Sequence, residues 1–146
     1  MAFTDVLGRL ALVLIFVVAG GLKFVETDMY AGLLTDGYSK LNSLLVTSCG
    51  MHLPLNPALV AVHSKNLIFL TGAIQILGSM LTVLRIRLGC WMIILLLILF
   101  DVVIHNPFFY ASDVVQQVFH ARMAILNIGI LGGFVLALSG PTRTSK

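Results

Sequence analysis

The side chains able to do chemistry in this chain are few, and they stand in apolar surroundings: Lys23, Glu26, Gln75, Asp101, His105, His120, Arg122 and Asn127. Asp101 and His105 are four residues apart, the spacing that puts two side chains on one face of a helix. An acid and a base so placed, with an amide on each of two other segments, could hold a proton or the head group of a quinone. The same residues could instead fix helix packing. Lys23, His120 or Arg122 would then neutralise Asp101 or Glu26, while Gln75 and Asn127 hydrogen-bond across helices. The packing role is the expectation, because such networks are a common way to join helices in lipid. Asp101 and His105 supply only two metal ligands where three or four are usual, so no metal is expected. The sequence has no phosphate loop, no nucleophile beside a base, no CxxC pair and no haem-attachment signature. Catalysis needs groups within hydrogen-bond reach of a reacting atom, so neither an enzyme nor a cofactor is expected.

The elements that must position these residues follow from hydropathy. The chain is 59% hydrophobic and 10% charged, whereas soluble domains run at roughly 45–50% and 25%. So little polar surface cannot cover a soluble protein of 146 residues; lipid can cover it instead. The net charge of +3 does not point to nucleic acid, because the nine Lys and Arg are scattered singly and form no patch. Apolar segments occupy residues 7–24, 66–84, 88–109 and 122–140. At about 1.5 Å per residue each approaches the roughly 30 Å of a bilayer core. Unpaired backbone groups are too costly in lipid for anything but helices or a closed barrel, and four strands cannot close one. The fold class is therefore an all-α integral membrane four-helix bundle in a single domain spanning residues 1–146.

The joints carry their own signals. Arg85-Ile86-Arg87 is a short connection, Asn106-Pro107 loosens the third helix near its end, and Gly140-Pro141 stops the fourth. The connection over residues 25–65 is too apolar for a free linker. Leu41, Leu44 and Leu45 stand at helical spacing and Pro57 opens a second segment, so both are expected to be short interfacial helices. Arg9, the run Leu10 to Val18 and Ala19-Gly20-Gly21 imitate a secretory signal. Lys23 and Phe24 continue the segment past any cut, so a retained span is expected. Four crossings put both termini on one face, here face A, with Arg9, Arg85, Arg87, Arg143 and Lys146 against Asp5. The opposite face B has Lys23, Lys40, Lys65 and Arg122, but also Glu26, Asp28, Asp36 and Asp113. The arginines close to helix ends make face A the cytoplasmic or matrix side. Cys49 and Cys90 fall toward opposite faces, so no disulfide joins them. By rise per residue, Lys23, Glu26, Asp101, His105, His120 and Arg122 all fall in the leaflet toward face B, with Gln75 and Asn127 near the midplane.

These motifs resemble a known group. Gly8-Arg9 with Ala19-Gly20-Gly21-Leu22-Lys23-Phe24, then Gly72, Gln75 and Gly78, are similar to the first two helices of DoxX-type membrane proteins, which often have an acid in place of Gln75. Asp101-x-x-x-His105 before Pro107-Phe108-Phe109, and Asn127 before Gly132-Gly133, resemble the last two. The length, Leu53-Pro54 and the motif order most resemble the plant hypersensitive-response-like lesion-inducing proteins. The resemblance implies a four-helix membrane fold, and little chemistry. The expected role is a non-catalytic accessory subunit of a larger membrane assembly, foremost a mitochondrial respiratory complex of the inner membrane. The alternatives are a quinone-linked redox subunit of the DoxX type and a cargo or stress-related protein of the endoplasmic reticulum. The partners expected are membrane lipids and other integral membrane subunits, with phospholipid against Arg85 and Arg87.

Overall fold

The computed structural model describes residues 3–110 and 112–139, apart from the side chains of residues 3–6, Leu12 and Ser139. The described residues form helices: α1 (Phe3–Val25), α2 (Thr27–Cys49), α3 (Pro57–Val83), α4 (Arg87–Val103), a 3-10 turn at Pro107–Tyr110, and α5 (Val114–Ser139). Four stretches are long and apolar enough to cross a membrane: Leu7–Val25, Pro57–Val83, Arg87–Tyr110 and Val114–Leu138. The chain is a membrane protein of four such helices, with α2 as a fifth, less apolar one. Gly140-Pro141, Arg143 and Lys146 lie outside the described residues, as does the side chain of Asp5.

Helix α1 presents Val13, Phe16, Gly20 and Lys23 inward, at steps of three and four. A single residue, Glu26, separates it from α2. The Thr27 hydroxyl donates to the carbonyls of Lys23 and Phe24 at 2.8 and 3.1 Å, satisfying acceptors that the break would orphan. Helix α2 ends at Gly50, whose φ of +66 favours a residue without Cβ. Gly50 and Met51 N–H donate back to Val46 and Leu45 carbonyls, closing the last turn. The return loop is tied down by Leu53 N–H to Asn42 Oδ1 at 2.9 Å and by the Tyr38 hydroxyl to the Leu55 carbonyl at 3.1 Å. Asn56 caps α3 by accepting from Ala58 N–H at 2.9 Å, with Pro57 at the first helical position, where its missing N–H costs nothing.

Helix α3 is the centre of the bundle, packing against α1, α2 and α4. Its inner stripe is Val60, Ser64, Ile68, Gly72, Gln75, Ser79 and Thr82, mostly small or polar. Without a hydrophobic force between helices in lipid, close backbone approach at small residues takes its place. Gly20 and Gly72 face one another, and a Cβ on either would lie 3.1 Å from the other's carbonyl oxygen. Gly78 and Gly89 also face one another, between α3 and α4, where a Cβ would lie 3.2 and 2.4 Å from the other's carbonyl oxygen. Ser79 and Thr82 hydroxyls donate to carbonyls four residues back, so neither is left without a partner. The apolar cluster of Phe16, Cys90, Ile93, Ile94, Leu97 and Phe134 joins α1, α4 and α5. Phe16 meets Phe134 edge to face at 5.1 Å. Arg9 donates to the Ala137 carbonyl at 3.2 Å, so the start of α1 and the end of α5 lie at one end of the bundle.

Several boundaries differ from the expected ones, each for a physical reason. Pro57 opens the whole of α3, not a short separate helix, and α3 begins well before residue 66. Its first turns carry Ser64 and Lys65, and Lys65 pairs with Asp28 of α2 at 2.5 Å. Leu41, Leu44 and Leu45 belong to one helix of 23 residues. Helix α4 stops at Val103, because Pro107 disfavours helix in the residue before it. Helix α5 starts at Val114, placing His120 and Arg122 well inside it instead of at its entry.

Candidate functional site

The polar residues expected to converge form three separate groups toward face B, and two of them stay outside. Lys23, in the last turn of α1, is 6% exposed. Its ammonium donates to Gln75 Oε1 on α3 and stands 4.1 Å from the centre of the Phe100 ring on α4. An amide oxygen and a ring face therefore hold this cation, not a carboxylate. Asp101 is the second group: its Oδ1 accepts from Asn127 Nδ2 at 2.6 Å, joining α4 to α5. None of the expected cations bonds to Asp101.

The third group surrounds two imidazoles. His105 lies just past the end of α4, where both Ile104 and His105 N–H donate to the Phe100 carbonyl. Leaving the helix at Val103 turns His105 toward α5. Its ring lies 5.8 Å from that of His120, tilted by 37°. Tyr110 stacks flat on His120 at 4.1 Å, and Phe119 meets it edge-on at 5.3 Å. Beyond Tyr110 lies α2. The Tyr110 hydroxyl donates to Asp36 Oδ2 at 3.4 Å, Lys40 bonds the same oxygen at 2.7 Å, and Lys40 also stands 4.0 Å over the Tyr110 ring. Desolvation acts to lower the Lys40 pKa, but Asp36 and Tyr110 together hold it above the ordinary lysine value. Gly37 permits this docking, since its backbone is pressed against the Val103 carbonyl.

Glu26 and Arg122 are exposed and join none of these groups. Glu26 lines an open cleft at the bend between α1 and α2 with Asp28, Lys65 and Phe69. Burial, and then the Glu26 carboxylate, push the Tyr30 phenol above its usual pKa. Arg85 and Arg87 flank Ile86 in the turn at the other end, with Arg85 in a left-handed backbone conformation at φ 62. Among the described residues no three His, Cys, Asp or Glu side chains gather at one point.

Sequence reasoning missed Phe100, Tyr110, Asp36 and Lys40. The pair Asp36 and Lys40 had a signal, the i, i+4 spacing of opposite charges. Ring partners have none, since any aromatic at matched depth would serve. Polar contacts made within the chain join α1 to α3, α4 to α5, and α2 to the 3-10 turn after α4.

No curated protein and no solved structure matches this sequence. A family model does: that of the HR-like lesion-inducing proteins matches residues 1–138. The match runs through all four apolar helices and all three polar groups, and the chain belongs to the HR-like lesion-inducing family.

Proposed function

We propose that the chain is a non-catalytic subunit that packs within a larger membrane assembly, a respiratory complex of the mitochondrial inner membrane. The observation that carries this reading is α5. Only 6% of its apolar window is buried, against 39% for α4. Gly129 and Gly132 lie one turn apart on it, and a Cβ at either would meet nothing within 4 Å. Small residues with open space beside them let a neighbouring helix approach closely in lipid. The inner polar groups support the same reading. Lys23 and Asp101 are engaged by Gln75 and Asn127, bonds that join helices. The arginines of the α3–α4 turn suit an anionic phospholipid on the matrix side, with Arg87 exposed to it. The likeness to DoxX-type proteins, in the Ala19 to Phe24 and Asp101 to Phe109 motifs, belongs to the same proposal. It adds kinship among four-helix membrane proteins and no reaction.

Extraction of the tagged chain in mild detergent tests this. It should migrate with a fixed set of other integral membrane chains, far above its own 15.8 kDa. Its interface with them should exceed the roughly 1,000 Å² of a specific contact. Replacing Gly129 and Gly132 by Leu should release it while leaving it inserted. Migration as a monomer or homodimer would contradict the proposal.

A further inference from the structure

The two imidazoles at the face B end are not accounted for by packing. His120 is 3% exposed, and the Nδ1 atoms of both His105 and His120 are buried without a hydrogen-bond partner. Among the described residues these are the two buried side-chain polar atoms so left. A neutral imidazole has one N–H donor and one acceptor, and each buried orphan costs about 1–3 kcal/mol. The rings do not relieve each other, for no hydrogen bond joins them across the 5.8 Å between their centres. Tyr110 covers one face of His120 and Phe119 meets it edge-on. A guest that satisfies both rings must be small and able to hydrogen-bond to two ring nitrogens at once, whichever of them carries the proton. Water fits, since buried waters ordinarily make two to four hydrogen bonds to such orphans.

We propose that His105 and His120 hold a water molecule between their Nδ1 atoms, and that this water-bridged pair is a proton-exchange site open to face B. A proton taken up by one imidazole is matched by one passed through the water to the other ring. That ring releases a proton from its opposite nitrogen, so no net charge or atom accumulates. Tyr110, stacked on His120, separates the pair from exposed Asp36, to which its hydroxyl bonds. The charged groups around the pair are mixed. Asp36 and Lys40 face it from α2, Lys23 from α1, Asp101 lies one turn before it on α4, and Arg122 lies just after it on α5. The site goes beyond the packing role and does not depend on it, since a chain could keep every partner and lose this water.

The test uses the full chain, labelled with nitrogen-15 histidine, in lipid nanodiscs. Only His52, His63, His105 and His120 contribute signals, so single substitutions assign them. Magnetisation transfer from water should reach the rings of both His105 and His120. His120→Phe should abolish the transfer to His105 and slow its ring N–H exchange. His120→Asn, whose side-chain amide occupies the place of Nδ1, should retain both, which separates loss of the water from loss of the fold. Dry rings in the unsubstituted chain would overturn the proposal. So would a His105 that keeps its water in His120→Phe, or a His120→Asn chain that behaves like His120→Phe.

Discussion

Gly89→Ala should pull the α3–α4 hairpin apart, at a cost of about 3 kcal/mol, the upper end for an overpacked core. The added Cβ would stand 2.4 Å from the Gly78 carbonyl oxygen and 2.7 Å from the Thr82 nitrogen. These are backbone atoms of a helix and cannot rotate aside. Leu81 Cβ, also at 2.7 Å, closes the remaining direction. Gly37→Ala meets the same obstacle at the Val103 carbonyl and should lift α2 from the end of α4. Gly21→Ala and Gly129→Ala are the controls, with open space at both positions. In an isolated chain these should be neutral or stabilising by up to about 1 kcal/mol, the helix propensity gained over glycine. Trp91 is the single tryptophan and adjoins buried Cys90, so its fluorescence during denaturant titration in detergent reads the hairpin. Equal stability of the Gly89 and Gly129 variants would refute the packing described.

The second large effect should come from Gln75→Leu. The substitution removes the oxygen that accepts from the Lys23 ammonium and leaves a buried cation against the Phe100 ring alone. Removing the acceptor of a buried hydrogen bond from a charged group costs about 1.5–3 kcal/mol. Removing both groups should be cheaper than removing Gln75, since an apolar pair of similar volume has nothing to desolvate. The double variant Lys23→Met with Gln75→Leu should therefore recover much of the loss, with a coupling of about 1–3 kcal/mol in a double-mutant cycle. Additive losses in that cycle would mean that the two side chains do not depend on one another.

The four crossings were legible because each is a sustained apolar run, and lipid imposes helix on any such run. Their ends were less legible, because hydropathy reports where lipid is crossed and not where helix continues. Ser64 and Lys65 look like a boundary in hydropathy, yet α3 runs through them, since its start is set by the Asn56 cap and Pro57. The depth of the polar residues could be counted from the rise per residue, but depth is not direction. Glu26 and Arg122 lie at depths matched to Lys23 and His120 and still face outward. The pairing of Asp101 with Asn127, in place of any cation, depends on how α5 is rotated against α4, which no spacing in either segment records. Asp101 and His105 share a helix face only if the helix continues. The Asn106-Pro107 signal that ends it was visible, while its consequence, an imidazole turned toward His120, was not.

The arrangement as a whole is tested most directly by the sidedness of Cys49. This thiol is exposed at the end of α2, whereas Cys90 is buried at the start of α4. One crossing by α1 separates α2 from the N-terminus, and Arg9 at the start of α1 bonds Ala137 near the end of α5. In sealed vesicles of known orientation, a membrane-impermeant maleimide should label Cys49 only from the face opposite a tag on the N-terminus. Cys90 should resist until the bundle is denatured. Labelling of Cys49 from the tagged face of intact vesicles would contradict the four-crossing bundle with α2 on face B.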